Sequence, residues 1–139
     1  MNKKQAIQLL SQRGYKMTKR RKDMLTFFSH EDKYYTAKSL YEYMESIYPG
    51  ISFDTVYRNL HLYHDLGILE STDLDAEKHF RMNCGTQHHH HFICSQCGKT
   101  KKINLCPMDD VHELLGNYQI EGHKFEVYGL CPECQVLAS

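Results

Sequence analysis

Two Cys-x-x-Cys pairs, Cys94/Cys97 and Cys131/Cys134, restrict the folds open to this chain more than any other feature. A glycine follows the first pair and a proline lies inside the second, so both pairs are expected in turns. Four thiolates from two such pairs provide the closed tetrahedral coordination of a structural Zn²⁺ ion. The segment between the pairs is longer than in a tight zinc ribbon, so the chain must leave the site and return. The sequence therefore predicts a permanent zinc site that contributes directly to folding.

A redox role for these cysteines is the main alternative. A thioredoxin-like pair lies in a strand–helix–strand pattern, which is missing around these two pairs. No apolar run is long enough to cross a bilayer, and the N-terminal segment MNKKQAIQLLSQR lacks the apolar core and cleavage site of a signal peptide. We therefore expect a cytoplasmic protein without a membrane partner, in which reduced thiols bind metal instead of forming disulfides.

The charged residues are unevenly distributed, although the formal net charge is zero. Residues 1–22 contain eight of the 17 Lys and Arg residues and no Asp or Glu. A solvated helix face and a phosphate-binding surface both have such a composition. The cysteines are distributed in the opposite way, because all six lie at or after Cys84. Composition thus divides the chain into a basic half, residues 1–83, and a Cys/His-rich half, residues 84–139.

The basic half has the periodicity of helices followed by a hairpin. Thr18 and Ser52 are placed to cap two of the helices, and another starts at Thr36. The runs ILEST and KHFRM, joined by DLDAE, predict two strands. Four apolar stripes at helical spacing predict the inner faces, namely Ala6, Ile7, Leu9 and Leu10; Met24, Leu25, Phe27 and Phe28; Ala37, Leu40, Met44 and Ile47; and Val56, Leu60 and Tyr63. This order is typical of a winged helix-turn-helix, with residues 53–66 as the recognition helix.

The predicted recognition helix presents polar side chains away from its apolar stripe. Arg58 can pair with guanine, and Thr55 or Tyr57 can contact a thymine methyl group. Lys16 and Arg20 belong to the acid-free segment and are expected to contact phosphates. The same residues could form an ordinary solvated surface, but the basic segment beside them favours double-stranded DNA as the partner.

Four consecutive histidines, residues 88–91, lead directly into the first cysteine pair. Side chains alternate between the two faces of a strand, so His89 and His91 would point one way and His88 and His90 the other. The run could therefore serve two metal sites, although any four residues of a strand alternate in this manner. Other candidate ligands lie on both sides of the run: Glu70, Asp73, His79, Cys84, Asp109, Asp110, His112, Glu113 and His123.

Four segments resemble the ferric uptake regulator family of metal-dependent bacterial repressors and together span residues 14–134. They are GYKMTKRR, SFDTVYRNL, HHHHFICSQCGK and HKFEVYGLCPEC. The resemblance implies an α+β architecture, in which an N-terminal winged helix-turn-helix domain is joined by a hinge to a C-terminal α/β dimerisation domain that carries the four-cysteine zinc site. It also implies a homodimer that binds operator DNA when loaded with metal. We expect the first domain and the hinge in residues 1–83 and the second domain in residues 84–139.

The resemblance further implies two groups of metal ligands besides the four cysteines. The regulatory hinge site would consist of Glu70, Cys84, His89 and His91. A third site would consist of His88, His90, Glu113 and His123, with Asp109, Asp110 or His112 as alternatives to Glu113. Cys106 has no counterpart in this scheme, and we expect a small buried thiol rather than a ligand or a redox sensor.

Within the family, the thiolate at the hinge makes the zinc uptake regulator branch the most similar, because soft sulfur favours Zn²⁺ over Fe²⁺ or Mn²⁺. The sequence thus predicts a zinc-responsive repressor of zinc-uptake genes, with a peroxide-sensing or iron/manganese-sensing repressor as the alternative. A zinc enzyme is not expected, because the zinc deaminase pattern is missing and no small-molecule substrate is implied. A zinc-storage protein would account for the ligands but not for the recognition helix.

Overall fold

The computed structural model describes residues 1–84 and 89–138. The chain forms two compact units, Met1–Gly85 and Thr86–Ser139. Both contain helices and a three-stranded sheet, so the predicted α+β class is confirmed. No helix within the described ranges is long and apolar enough to span a membrane.

The first unit contains four helices that begin at side-chain caps: α1 (Lys3–Gln12), α2 (Lys19–Ser29), α3 (Ala37–Ile47) and α4 (Phe53–Asp65). The hydroxyl groups of Thr18, Thr36 and Ser52 accept hydrogen bonds from the backbone N–H of the third helical residue in α2, α3 and α4. Asn2 caps α1 in the same way. Each such cap stabilises its helix by about 1 kcal/mol. The predicted caps Thr18 and Ser52 are confirmed, and Thr36, expected as the start of a helix, is the cap of α3.

A three-stranded sheet completes the first unit, in the order β1 (Tyr35–Thr36), β3 (Glu77–Met82) and β2 (Leu69–Leu74), with all pairings antiparallel. Asp75 and Ala76 form the turn between β2 and β3, and their φ angles are 50° and 63°. Two residues in the left-handed region are what a two-residue hairpin turn requires. The predicted hairpin is therefore confirmed, and its turn is shorter than the DLDAE segment suggests.

The apolar stripes of the helices form the core of the first unit. Leu10, Met24, Leu25, Leu40, Met44, Val56, Leu60 and Tyr63 are buried, together with Phe80 of β3. Of the other predicted inner residues, Ile7, Leu9, Phe27 and Ala37 are partly buried against this core, and only Ile47 is exposed, over 39% of its surface. It is the last residue of α3, where the covered stripe ends.

The second unit is built on a sheet in which β4 (His90–Cys94) lies between β5 (Thr100–Ile103) and β6 (Glu126–Gly129). β4 pairs with β5 in antiparallel and with β6 in parallel orientation. Between β5 and β6 the chain passes through helix α5 (Met108–Leu114), and after β6 it enters helix α6 (Pro132–Ala138). This return path brings both cysteine pairs to the same end of the sheet.

The buried residues of the second unit are unusual for a core. Within its described part, one buried cluster consists of Cys94, Cys131 and Cys134, with Phe92, Cys97 and Leu130 packed against it, and Ile93 of β4 is buried as well. A unit of this size buries too little apolar surface to fold on that basis alone, and such units depend on metals, disulfides or oligomerisation. The architecture of the second unit therefore points to a ligand at its cysteines.

Candidate metal centres and nucleic-acid interface

The four cysteines of the two Cys-x-x-Cys pairs come together at one end of the second sheet. Cys94 ends β4, Cys97 lies in the following turn, Cys131 precedes α6, and Cys134 lies within α6. Their Sγ atoms all lie within 4.8 Å of one another, and the thiols are free. The Cys97–Cys131 Sγ separation is 3.7 Å, against about 3.8 Å for two thiolates bound tetrahedrally at the usual Zn–S distance. A disulfide would require about 2.0 Å.

Backbone N–H groups lower the pKa of one of these thiols, Cys94. The N–H groups of Cys97 and Cys131 donate to Sγ of Cys94 at 3.5 and 3.4 Å. Burial alone raises the pKa of Cys94, but these hydrogen bonds outweigh it and lower the pKa to about 6. Cys134 shows the opposite effect, because the adjacent Cys131 sulfur, together with burial, raises its pKa to about 12. Four negative charges cannot be held this close without a compensating cation, and a divalent ion provides that compensation.

A network of hydrogen bonds fixes the two cysteine turns relative to each other. In the first turn, the N–H of Gly98 donates to the carbonyl of Cys94 at 2.9 Å. The N–H of Ser95 donates to the carbonyl of Gly129 at the end of β6. Across the site, Nζ of Lys99 forms an ion pair of 3.0 Å with Glu133 in α6. The turns are thus held in the geometry that four-thiolate coordination requires.

Glu70 and Cys84, the two predicted hinge ligands of the first unit, are in contact. The thiol of Cys84 donates to Oε1 of Glu70 at 3.5 Å. Burial and the Glu70 carboxylate together raise the pKa of Cys84. The same carboxylate oxygen lies 3.4 Å from Nε of Arg81, whose side chain is only 4% exposed and also reaches Asp32. The sequence gives no sign of this role for Arg81, because Arg81 faces Glu70 only through the pairing of β2 with β3.

Four histidines of the second unit lie in two pairs. The rings of His89 and His91 lie 4.6 Å apart between centroids. His90 instead lies beside His123, with 5.2 Å between the ring centroids, because β4 places it on the opposite face. His88, predicted for the third site, lies outside the described residues.

Cys106 joins the pair formed by His90 and His123. Its Sγ lies 3.7 Å from Nε2 of His123, and the ligand atoms of the three residues lie within 4.8 Å of one another. Cys106 is half-exposed, so the expectation of a buried thiol is wrong. Glu113 is exposed on α5 and is not grouped with these residues, as far as the described ranges show. Its role as a ligand stays a prediction, as do those of Asp109, Asp110 and His112.

The predicted recognition helix, α4, exposes an aromatic and charged surface. Tyr57 is 41% exposed and stacks on Phe53 with 5.6 Å between ring centroids. Arg58 forms an ion pair of 3.1 Å with Asp54, one helical turn earlier, and both side chains are more than 70% exposed. Thr55 is only half-exposed, and its hydroxyl lies 2.8 Å from that of the cap residue Ser52. Tyr57 and Arg58 are therefore available to a partner, whereas Thr55 also serves the start of the helix.

A basic groove of about 630 Å³ lies between α2 and α4 in the first unit, and Lys16, Lys19 and Arg20 line it. Arg20 is held over the ring of Tyr48 at 5.2 Å. Arg21 differs from these residues, because it donates to the side chain of Asn59 at 3.2 Å and to the carbonyl of Lys16 at 2.7 Å. Arg21 thus joins α2 to α4, and the other three cations remain exposed at the groove.

Comparison with known proteins gives consistent matches along the chain. A family model described as the ferric uptake regulator family matches residues 12–128. A ferric uptake regulation protein of Staphylococcus epidermidis is 56% identical over 135 residues, which cover 97% of each chain. The solved ferric uptake regulator of Helicobacter pylori has a TM-score of 0.73 at 15% identity and covers 97% of this chain and 95% of that one. A zinc uptake regulator complexed with zinc and DNA has a TM-score of 0.68 at 23% identity, with coverages of 99% and 95%. These two structures are similar to the chain in fold.

Proposed function

The chain belongs to the ferric uptake regulator family, and we propose that within this family it is a zinc-responsive repressor of zinc-uptake genes. Family members are metal-responsive, DNA-binding transcriptional regulators and not enzymes. The observation that carries the zinc assignment is the thiol of Cys84, which lies 3.5 Å from the Glu70 carboxylate. A thiolate in the regulatory site favours Zn²⁺ over Fe²⁺ and Mn²⁺.

The hinge site would join ligands from both sides of the boundary between the two units. Glu70 and Cys84 precede residue 85, and His89 and His91 follow it. The chain from Cys84 to His89 can span at most about 18 Å, which limits how far apart the proposed ligands can lie. A bound ion would supply a bridge among these four side chains and so restrict the hinge. Repression then depends on how much more tightly the DNA-binding conformation holds the ion than the others do.

We propose that α4 and the basic groove bind the operator. The groove cations Lys16 and Arg20 would contact phosphates, and Arg58 and Tyr57 would contact base edges. Arg58 must first leave Asp54, but an exposed ion pair one turn apart in a helix contributes only about 0.3–0.5 kcal/mol. That cost is small beside the 1–3 kcal/mol or so that a bidentate contact to guanine contributes. A homodimer would present two such helices to half-sites about 34 Å, or a multiple of that distance, apart.

Iron is the second candidate for the regulatory metal. The 56% identical relative is named a ferric uptake regulation protein, and its name applies to this chain only if the hinge ligands select Fe²⁺. The softness of the Cys84 sulfur argues against that, because Fe²⁺ sites are built mainly from nitrogen and oxygen ligands. Manganese-sensing and peroxide-sensing functions are disfavoured for the same reason.

A gel-shift titration tests the proposal. Operator binding is measured against free Zn²⁺, Fe²⁺ and Mn²⁺ for the wild type and for Cys84→Ser. We expect Zn²⁺ to activate the wild type at the lowest concentration, and Cys84→Ser to lose that response while it keeps its fold and its structural zinc. Glu70→Gln should weaken the response as well, whereas Asp73→Asn, which removes a charge from the same strand, should not. Unchanged zinc activation of Cys84→Ser would refute the zinc assignment and favour iron as the regulatory metal.

A further inference from the structure

We propose that Phe53, the first residue of α4, helps to determine operator specificity by packing its ring against the methyl group of a thymine in the major groove. This role rests on the proposed function, because it needs DNA at α4, and it names a base that the operator must contain. It does not depend on which metal activates the protein, so a failure of the zinc assignment would leave it standing.

Phe53 contributes to an exposed aromatic surface on α4. Its exposed fraction is 47%, and that of Tyr57, one helical turn later, is 41%. A single exposed apolar side chain is ordinary in a folded protein. These two rings, however, stack on each other, with 5.6 Å between their centroids and 22° between their planes. They therefore form one continuous apolar surface along one side of the helix.

Neighbouring rings hold the Phe53 side chain in place. Tyr41 of α3 packs against the core of the first unit, and its ring centroid lies 5.5 Å from that of Phe53. On the other side, Tyr57 contacts the ring of His61 edge-on, with 4.4 Å between the centroids. Four rings thus form a row that begins on α3 and continues along α4. A ring restrained in this way loses little conformational freedom on binding, so more of its contact energy remains for affinity.

The location of Phe53 favours a base edge as its partner. In a helix-turn-helix, the N-terminal residues of the recognition helix contact base edges in the major groove. Phenylalanine is one of the apolar side chains that recognise thymine there, through the C5 methyl group. Arg58, which is proposed to contact guanine, is exposed on the same helix. The aromatic surface is therefore continuous with the proposed DNA-binding surface.

The charges around Phe53 disfavour a phosphate at this surface. The hydroxyl of Tyr41 donates to the carboxylate of Glu45, and Asp54 is the residue that follows Phe53 in α4. Carboxylates beside an apolar ring repel the DNA backbone, whereas the cations that attract it line the groove between α2 and α4. Phe53 is thus suited to an uncharged apolar group. In the major groove that group is the thymine methyl.

Replacing thymine by deoxyuracil tests this role, because the replacement removes only the methyl group. The wild-type protein selects a duplex from a random pool, with whichever of Zn²⁺, Fe²⁺ and Mn²⁺ activates DNA binding. Each thymine of that duplex is then replaced, one at a time, and affinity is measured by fluorescence anisotropy. We expect at least one position at which the loss of the methyl group weakens wild-type binding about fourfold, the contribution of one buried methyl group.

Three variants assign that effect to a side chain. Phe53→Ala should bind the thymine duplex at least about fourfold more weakly and should no longer distinguish thymine from deoxyuracil at that position. Phe53→Leu keeps an apolar contact and should retain the discrimination. Ile47→Ala is the matched control, because Ile47 is an exposed apolar residue at the end of α3, and this variant should behave as the wild type. Thermal melting shows whether each variant is folded, and Phe53→Gln replaces Phe53→Ala if the latter melts below the assay temperature.

The outcomes separate this role from the proposed function. If no thymine replacement weakens wild-type binding, or if Phe53→Ala discriminates as the wild type does, Phe53 does not read a methyl group, while metal-dependent DNA binding stands. Unchanged discrimination together with altered sedimentation of DNA-free Phe53→Ala would assign the aromatic surface to a contact with a second copy of the chain instead. Absence of DNA binding with all three ions would refute the proposed function and this role together.

Discussion

Replacing Arg58 by alanine gives the sharpest test of the DNA interface, because the contact that Arg58 makes without DNA is known. Arg58 is exposed and forms an ion pair with the equally exposed Asp54, so Arg58→Ala should leave the stability of the fold within about 0.5 kcal/mol. If Arg58 reads a guanine, the variant should lose about 1–3 kcal/mol on the operator, or roughly 5-fold to 150-fold in affinity. Binding to unrelated DNA should change far less.

The assay is a pair of fluorescence-anisotropy titrations with excess Zn²⁺, one with a duplex selected by the wild-type protein and one with a scrambled duplex, repeated over a range of salt concentrations. Lys16→Ala is the matched control, since loss of a phosphate contact should weaken both duplexes equally and reduce the salt slope by about one. Asp54→Ala should tighten operator binding up to about twofold, because it releases Arg58 from an ion pair of about 0.3–0.5 kcal/mol. Equal losses on both duplexes for Arg58→Ala would refute base reading by this residue.

Three further changes test other parts of the molecule. Cys94→Ser should lose the structural zinc and the dimer, because three thiolates hold the ion less well than four. Metal analysis and analytical ultracentrifugation measure both losses. A zinc-loaded dimer with an unchanged melting temperature would contradict this prediction. Ser52→Ala should lower the unfolding free energy of the first unit by about 1 kcal/mol, measured by denaturant titration, because α4 loses its cap. Zinc activation at the hinge should weaken as pH falls, because the metal must displace the proton of the Cys84 thiol, whose pKa is raised by burial and by Glu70. The zinc concentration needed for activation should rise roughly tenfold per pH unit for this one proton. A response independent of pH between about 6 and 8 would exclude a thiol ligand.

The parts of the fold that could be predicted from the sequence are those determined by neighbouring residues. Thr18 and Ser52 begin helices because a hydroxyl can accept from an N–H three residues later, which is a local contact. The hairpin follows from two strand-like runs and a short turn between them. Ile47 was misplaced because periodicity gives the direction of a side chain but not the point where the covering neighbours end.

The contacts that could not be predicted depend on strand pairing across long stretches of sequence. Cys106 and His123 are 17 residues apart, and no motif connects them. Only the arrangement of β5 and β6 on either side of β4 brings them to His90. Arg81 is a similar case, since its contact with Glu70 follows from the register of β2 and β3.

The two units differ in what stabilises them, and this difference bears on how metal can act as a signal. The first unit buries apolar side chains from all four helices, so it can keep its fold whether or not metal is bound. The second unit leaves Leu114, Tyr118 and Leu137 more than 70% exposed in the single chain, and a buried cluster in it consists of three cysteines. Family members are dimers, and an apolar surface of this kind is what a partner subunit covers. On the proposed function, a structural zinc and a dimer would therefore serve the folding of the second unit, and the hinge site would be left to report the metal concentration.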